Sequence, residues 1–424
     1  MRYQAPRGTQ DILPTEQHFW RYVMEKAEAI SWKFGYARID TPLFEQAGLF
    51  LRTVGQGTDI VEKETYTFRD RGDEELTLRA EGTAPVCRAY LESGMHTWTQ
   101  PVRLSYFCPV FRYERPQAGR FRQHHQFGVE AIGDSDPAVD AEVIELGWRF
   151  TRDLGLSGLV LLINSIGCPD CRPAYLESLR AFYKPHIETK HVCPDCQVRF
   201  QRNLLRVLDC KRSDFSCQEL VAEAPACINY LCGPCSSHWD ATQSHLKNLD
   251  VPFHVKHSLV RGFDYYTRTT FEIQPEDSNG AQNTVLAGGR YDGLIEELGG
   301  RPTPGIGFGS GLERLIVNLK RQSIQVPASL AMEVVLVSQS ESMRGQALRL
   351  AGRLREEGIR AVLASNRSLR GQMRQATALG ARYTLILGDD ELAKAVVQVR
   401  DMNTGQQQEV SISTVAFHLA NNLT

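Results

Sequence analysis

The stretch FRYERPQAGRFRQHHQFGVE, residues 111–130, commits its part of the chain to a specific architecture. Two runs rich in aromatic and β-branched residues flank a loop with Pro and Gly, the pattern of an antiparallel hairpin. Alternate residues of a strand share a face. Arg112 and Glu114 therefore point one way, and Phe111 and Tyr113 the other. On the return strand Gln126, Gly128 and Glu130 lie opposite His125, Phe127 and Val129. One face is thus apolar, and the other carries an arginine, a glutamine and two glutamates. Such a hairpin is either a solvated charged surface or the floor of a polar cavity. The loop adds Arg115, Arg120 and Arg122, a positive cluster of the kind that phosphate or nucleic acid requires.

Four further segments pair unlike chemistries. In GIGFGSGLERL (305–315), glycines at 305, 307, 309 and 311 leave one side of a strand bare, so another group can approach closely. A helix follows, bearing Glu313 and Arg314 at its start. The segment is neither a P-loop nor a dinucleotide fingerprint; alone, it could be a tight strand-to-helix packing contact. LVRGFDYYTRTTFEI (259–273) ends as a strand but begins with Arg261, Asp264, Tyr265 and Tyr266, which suit neither a buried strand nor a plain surface loop. In a regular strand Arg261 and Tyr266 would lie on opposite faces. LTLRAEGTAPVCRAY (76–90) places Glu81 and Thr83 just before a helix, where they could cap it or hold a ligand. AGGRYDGL (287–294) reads as a turn that presents Tyr291.

A chain of 424 residues suggests two or three domains. Helices are expected over 15–34 and 138–154, with an apolar strand, LVLLIN, after the second. Residues 168–250 hold nine of the eleven cysteines and read mostly as helix, like an inserted module. After the linker LKRQSIQVPASL, strands and helices alternate as βαβαβ, with a hairpin turning at Asn403-Thr404-Gly405 and a closing helix. That pattern predicts a small, mostly parallel sheet. A net charge of −2 means that any polyanion must be held by local basic patches. The N-terminus lacks a signal-peptide core, and the longest apolar run is too short to span a bilayer. The expected setting is cytoplasmic, with reduced thiols and no membrane partner.

Taken together, the segments resemble the histidyl-tRNA synthetase family of bacterial type, within the class II aminoacyl-tRNA synthetases. Pro42…Glu45 is similar to motif 1, FRYERPQAGRFRQHHQFGVE to motif 2 and GIGFGSGLERL to motif 3. RGFDYYTRTTFE and AGGRYDGL look like the two histidine signatures, and the likeness covers the whole chain. It implies a class II catalytic domain over 1–325, built on a six-stranded antiparallel sheet flanked by helices and interrupted by the insertion at 168–250. An α/β anticodon-binding domain over 331–424 completes it. The implied activity is a homodimeric ligase that activates L-histidine with ATP and Mg²⁺, releases pyrophosphate, and charges the 3′-terminal adenosine of tRNA(His).

The resemblance assigns Arg112 and Arg261 to the α-phosphate as catalytic residues. Arg112, Glu114, Arg120 and Arg314 would bind ATP. Glu81, Thr83 and Gln126 would hold the α-amino group of histidine, Glu130 and Tyr266 its ring nitrogens, with Tyr265 and Tyr291 lining the pocket. These roles would bring Arg261 and Tyr266 into one pocket, so a bend is expected at Gly262, with regular pairing from near Asp264. A neutral imidazole needs one donor-side and one acceptor-side partner. Arg115, Arg120 and Arg122 would meet tRNA, as would Arg367, Arg370 and Arg374 of the terminal domain. The rival is a non-catalytic paralogue, the histidine-sensing regulatory subunit of ATP phosphoribosyltransferase, which typically lacks the terminal domain and degrades the arginine motifs.

Three CxxC pairs, CPDC (168–171), CPDC (193–196) and CGPC (232–235), mark the insertion. The first two are 21 residues apart, close to zinc-ribbon spacing, which nominates Cys168, Cys171, Cys193 and Cys196 for structural Zn²⁺. Reduced thiols in a helical insertion that contacts tRNA are the alternative.

Overall fold

The computed structural model describes residues 3–53, 64–113, 121–210, 212, 215–276, 284–327 and 332–423. The chain divides into two compact units, Met1–Val326 and Pro327–Thr424.

The first unit is organised by six antiparallel strands. Their order across the sheet is Val102–Phe111, Gln123–Ile132, Gly305–Gly311, Leu286–Arg290, Thr267–Pro275 and Leu159–Ser165. Two-residue strands, Ala37–Arg38 and His254–Val255, extend the two edges in parallel. Because side chains alternate, the sheet has two chemically distinct faces. Phe127, Val129 and Ala131 pack on one of them with Ile306, Phe308, Phe271 and Ile273, against helices Gln17–Lys33, Pro137–Asp153 and Leu312–Arg321. Each of the larger of these buried side chains stabilises the fold by roughly 1.5–3 kcal/mol, Ala131 by less. Phe127 centres this layer, with ring centroids 5.1 Å from Phe107, 5.0 Å from Phe150 and 5.7 Å from Phe308. The helix Pro137–Asp153 starts where its sequence says it should. The Asp136 carboxylate accepts from the Ala138 N–H at 2.8 Å, and Pro137 occupies the first turn.

The other face of the sheet carries the polar positions. It is covered by the helix Thr83–Glu92 and by the aromatic cluster of Tyr90, Tyr106, Tyr265, Tyr266 and Tyr291. A three-stranded antiparallel sheet, Phe44–Gln46, Glu75–Leu78 and Tyr66–Arg69, flanks this side. Beside it Arg88 grips Glu45 with two bonds of 2.5 and 3.1 Å.

The cysteine-rich segment has its own core of Tyr175, Leu179, Tyr183, Phe200 and Leu208 with several cysteines. Its last helix, Gly233–Asn248, differs, because Trp239 and Leu246 pack into the main core. On that helix His238 meets the fully buried Asp140 at 2.8 Å. Burial raises the Asp140 pKa, but the Arg290 guanidinium and the His238 ring together outweigh it and hold the carboxyl below its usual range.

The terminal unit is a five-stranded mixed sheet in the order Ala361–Leu363, Val334–Ser338, Tyr383–Leu387, Val396–Asp401 and Gln407–Ser411. The first two pairings are parallel and the last two antiparallel, because the final hairpin adds both its strands to the sheet. The hairpin turns where expected: the Asp401 carboxylate accepts from the N–H groups of Asn403 and Thr404, and Gly405 takes φ +76°. Among the described residues no helix is long and apolar enough to cross a membrane.

Candidate active site

Two neighbouring constellations occupy the polar face of the six-stranded sheet. The first is a buried acid cluster around Glu130, whose side chain is wholly inaccessible. Its Oε1 accepts from the Thr83 hydroxyl at 2.7 Å and the Tyr106 hydroxyl at 3.2 Å. Its Oε2 accepts from the Tyr291 hydroxyl at 2.6 Å. Burial dominates these stabilising bonds and pushes the Glu130 carboxyl up to about 8. Glu81 lies beside it, and its two oxygens accept from the N–H groups of Thr83 at 2.6 Å and Ala84 at 2.7 Å. Glu81 thus caps the helix Thr83–Glu92 and is itself raised by burial, against the pull of those N–H groups and of Arg112.

The reason this strand can hold a buried carboxyl is the bare edge opposite it. Gly307 pairs with Glu130, and a Cβ at Gly307 would stand 1.8 Å from Glu130 Oε2 and 2.3 Å from the Val129 carbonyl. Gly309, which pairs with Gly128, makes room for Gln126, whose Nε2 lies 1.8 Å from where the Gly309 Cβ would be. The glycine strand is therefore cut to the shape of two polar side chains.

The second constellation is an open basic cleft of about 200 Å³, lined by Arg112, His124, Gln126, Arg261, Glu313 and Arg314, among others. Each arginine is aimed by a carbonyl or a carboxylate. Arg112 Nε donates to the Ala80 carbonyl at 2.8 Å, and Arg314 Nη1 to the Thr284 carbonyl at 3.0 Å. Arg261 Nη1 donates to Glu272 at 2.6 Å, while Thr284 donates to the other Glu272 oxygen at 3.2 Å. Glu313 accepts from the backbone N–H of His125 and meets its Nδ1 at 2.9 Å. Burial, then Arg112 and Arg314, bring His124 down to about 3, so its ring is neutral at pH 7. Gln126 Oε1 is buried there with no hydrogen-bond partner among the described residues. A cleft with three converging guanidiniums and an orphaned acceptor is suited to a phosphorylated or carboxylated ligand that also carries a donor.

Tyr266 links the two constellations. Its ring packs 4.6 Å from that of Tyr265 and lies 5.4 Å below the Arg261 guanidinium. Tyr265 in turn meets Tyr291 edge-on at 6.0 Å. The expected bend in this segment takes a different form. Residues 261–266 are not strand at all, and pairing begins at Thr267. The irregularity is a bulge opposite Gly289 and Arg290, with Arg268 at φ +49°. Gly262 has no positive φ, and a Cβ there would meet only Arg206 Nη1, at 3.7 Å. Arg261 and Tyr266 share a site because they lie on a loop, where strand parity does not apply.

Glu81, Thr83, Glu130, Tyr265, Tyr266 and Tyr291 thus fall in the buried cluster or its aromatic wall. Arg112, Gln126, Arg261 and Arg314 fall in the cleft. Glu114, Arg115 and Arg120 lie outside the described residues. Arg122 is near, its guanidinium 3.9 Å from the centre of the Tyr113 ring. In the terminal unit, Arg370 and Arg374 are exposed on the helix Leu369–Ala378, with exposed Arg367 just before it. The four nominated cysteines do not meet. The 17-residue helix Arg172–Glu188 lies between the two pairs, and its span of roughly 26 Å carries them apart. Cys168 and Cys171 join Cys232 and Cys235, whereas Cys193 and Cys196 join Cys210 and Cys217.

Sequence reasoning missed His124, Tyr106 and Glu272. His124 was within reach, since parity places it on the face of Gln126 and Glu130. Tyr106 was not, because its position opposite Gly128 depends on strand register.

The histidyl-tRNA synthetase family profile matches residues 8–170 and 214–315, and an anticodon-binding-domain profile matches 333–422. A histidine–tRNA ligase of Dehalococcoides mccartyi is 52% identical over 411 residues, 97% of each chain. One from Desulforamulus reducens is 48% identical over 98% of each. Among solved structures, apo histidyl-tRNA synthetase of S. aureus aligns with a TM-score of 0.82 at 35% identity, covering 99% of this chain and 100% of that one. A Bacillus halodurans chain described as an ATP phosphoribosyltransferase regulatory subunit/histidyl-tRNA synthetase aligns at 0.64 and 22% identity over 91% of this chain and 98% of that one, a likeness of fold alone.

Proposed function

The chain belongs to the histidyl-tRNA synthetase family, and from that premise we propose how its residues divide the reaction. It is an ATP-dependent aminoacyl-tRNA ligase. It activates L-histidine to histidyl-adenylate with release of pyrophosphate, then transfers histidine to the 3′-terminal adenosine of tRNA(His). The regulatory-subunit reading is less supported, since ligases of the same length match end to end and the terminal anticodon-binding domain is present.

The observation that carries the division is the junction of the two constellations at Gln126, Arg261 and Tyr266. In our reading the imidazole of histidine lies in the acid cluster. Thr83, Tyr106 and Tyr291 already donate to Glu130, leaving one of its roughly four acceptor positions, which the carboxyl proton occupies below about pH 8. A ring N–H arriving there displaces that proton, which the other ring nitrogen can accept. Tyr266 takes the far side of the ring, with Tyr265 and Tyr291 as walls. Glu81, Thr83 and the orphaned Gln126 Oε1 receive the α-ammonium group. The carboxylate of histidine then faces the cleft, where Arg112 and Arg261 flank the α-phosphate and Arg314 meets the distal phosphates. Catalysis is by positioning and by neutralising the charge that develops in the transition state. A site that hydrogen-bonds its substrate rejects analogues lacking those groups by roughly 10⁴–10⁵.

Class II synthetases use ATP with magnesium, a hard cation that prefers oxygen donors. Glu313 is the carboxylate that lines the cleft, and its donor chemistry fits. Magnesium held there with the phosphates would supply charge neutralisation on the pyrophosphate leaving group.

The same proposal assigns a catalytic domain to 1–325, anticodon binding to 331–424 and tRNA contact to Arg115, Arg120, Arg122 and the face of Arg370 and Arg374. Exposed Leu43, Phe44, Leu51 and Phe68 around the three-stranded sheet support a homodimer through that face. Eleven free thiols suit the reducing cytoplasm. The test is histidine-dependent exchange of pyrophosphate into ATP. No exchange with histidine overturns the assignment, and Arg261→His is expected to slow adenylation far more than transfer to tRNA.

A further inference from the structure

Eight of the nine cysteines in the insertion form two groups of four whose sulfurs lie within 4.8 Å of one another. In the first, at the neck where the insertion leaves and rejoins the sheet, Cys168 and Cys171 face Cys232 and Cys235. The sulfurs stand 3.4 Å apart for Cys168–Cys171, 3.5 Å for Cys171–Cys232 and 3.8 Å for Cys168–Cys232. In the second, inside the insertion, Cys193 and Cys196 face Cys210 and Cys217, at 3.7 Å for Cys193–Cys210 and 3.9 Å for Cys196–Cys217.

These distances discriminate between chemistries. A disulfide requires about 2.05 Å. Four thiolates placed tetrahedrally at about 2.3 Å from zinc stand about 3.8 Å apart. The separations above, 3.4–3.9 Å, lie near the second figure and far from the first. Backbone donors also point at the sulfurs: Cys168 N–H to Cys171 Sγ at 3.3 Å, Cys196 N–H to Cys193 Sγ at 3.4 Å, and Cys193 N–H to Cys217 Sγ at 3.3 Å. Such N–H groups stabilise thiolates and fix their orientation around a metal. With four sulfurs in each group there is no open coordination position, so the sites are structural, and all-sulfur donors select zinc over magnesium or calcium.

The clusters also bracket the residues that hold the 261–266 loop from behind. Arg172, next to Cys171, donates through Nη2 to the Tyr266 carbonyl at 2.7 Å. Asn203 and Arg206 lie between Cys196 and Cys210. Asn203 Nδ2 donates to Asp264 at 2.7 Å, and Arg206 Nη1 to the Gly262 carbonyl at 3.1 Å. We infer that the insertion binds two structural zinc ions, one in each four-cysteine cluster, and that these ions brace the loop carrying Arg261 and Tyr266. The brace rests on the histidine-binding role proposed for that loop; the metal sites do not. Each zinc enters with release of up to four thiol protons.

Elemental analysis of full-length protein purified without added metal should find two zinc per chain, and zinc X-ray absorption four sulfurs at about 2.3 Å. Fewer than two equivalents, or nitrogen or oxygen in the shell, overturns the sites, and this measurement needs no variant to fold. Cys232→Ser should lose the neck ion alone and Cys210→Ser the inner ion alone. Cys227→Ser, buried but outside both groups, should lose neither. For the brace, Arg172→Met should keep both ions and raise the KM for histidine about tenfold, the scale of one hydrogen bond to a charged group, with ATP KM unchanged. An unchanged histidine KM overturns the brace. Wild-type pyrophosphate exchange, read alongside, separates that failure from failure of the histidine assignment.

Discussion

The acid cluster and the basic cleft stand side by side on one sheet face, yet they solve opposite problems. Around Glu130 the protein supplies three donors of its own to a carboxyl that burial has pushed up to about 8. In the cleft it gathers Arg112, Arg261 and Arg314 and leaves Gln126 Oε1 unanswered. The first region is complete enough to specify its guest by hydrogen bonding. The second concentrates positive charge, with Arg261 already steadied by Glu272, so in the proposed division its contribution belongs to the charged transition state more than to ground-state binding.

That contrast can be broken most directly at Arg112. Arg112→Ala should lower the rate of histidine-dependent exchange by about 10²–10³-fold while histidine KM changes little. A comparable rise in histidine KM would merge the two regions into one. Next in size, Glu130→Gln should raise histidine KM by about 10–100-fold with ATP KM preserved, as expected when a buried partner is lost. Steady-state kinetics with each substrate varied separates the two cases.

The glycine strand sharpens the comparison further. Gly307→Ala drives a methyl into Glu130 and the Val129 carbonyl, whereas Gly309→Ala meets the end of the Gln126 side chain, which can turn away. The first should cost about 1–3 kcal/mol in stability, read by chemical denaturation, and the second less. The acid cluster also sets a pH dependence. A carboxyl raised in the folded state contributes stability that is full below its unfolded pKa of about 4.3 and is lost as pH rises through its folded value of about 8. The ligand-free melting temperature should therefore fall between about pH 5 and 8, and Glu130→Gln should flatten that fall. A slope unchanged in the variant would place its origin elsewhere.

Much of this was legible in the chain itself, because strands and helices impose periodicities that side-chain chemistry must obey. Alternation placed Gln126 and Glu130 on one face, and alternate glycines showed that something must approach 305–311 closely. The terminal unit followed from its strand and helix spacing, and its hairpin turned at the expected residues. Parity failed in 261–266, since a loop has no period, and the bend expected at Gly262 became a loop and a bulge at Arg268.

Local patterns thus determined which faces are polar, where the glycines leave room and which arginines belong near a cavity. Only the tertiary structure decided which residues at long separation meet: that Tyr106 and Tyr291 close on Glu130, that Glu272 aims Arg261, and that Cys168 and Cys171 join Cys232 and Cys235 instead of the next CxxC pair. The physical reason is range. Periodicity follows from backbone geometry over a few residues, whereas strand register and the span of an intervening helix are fixed by packing of the whole unit.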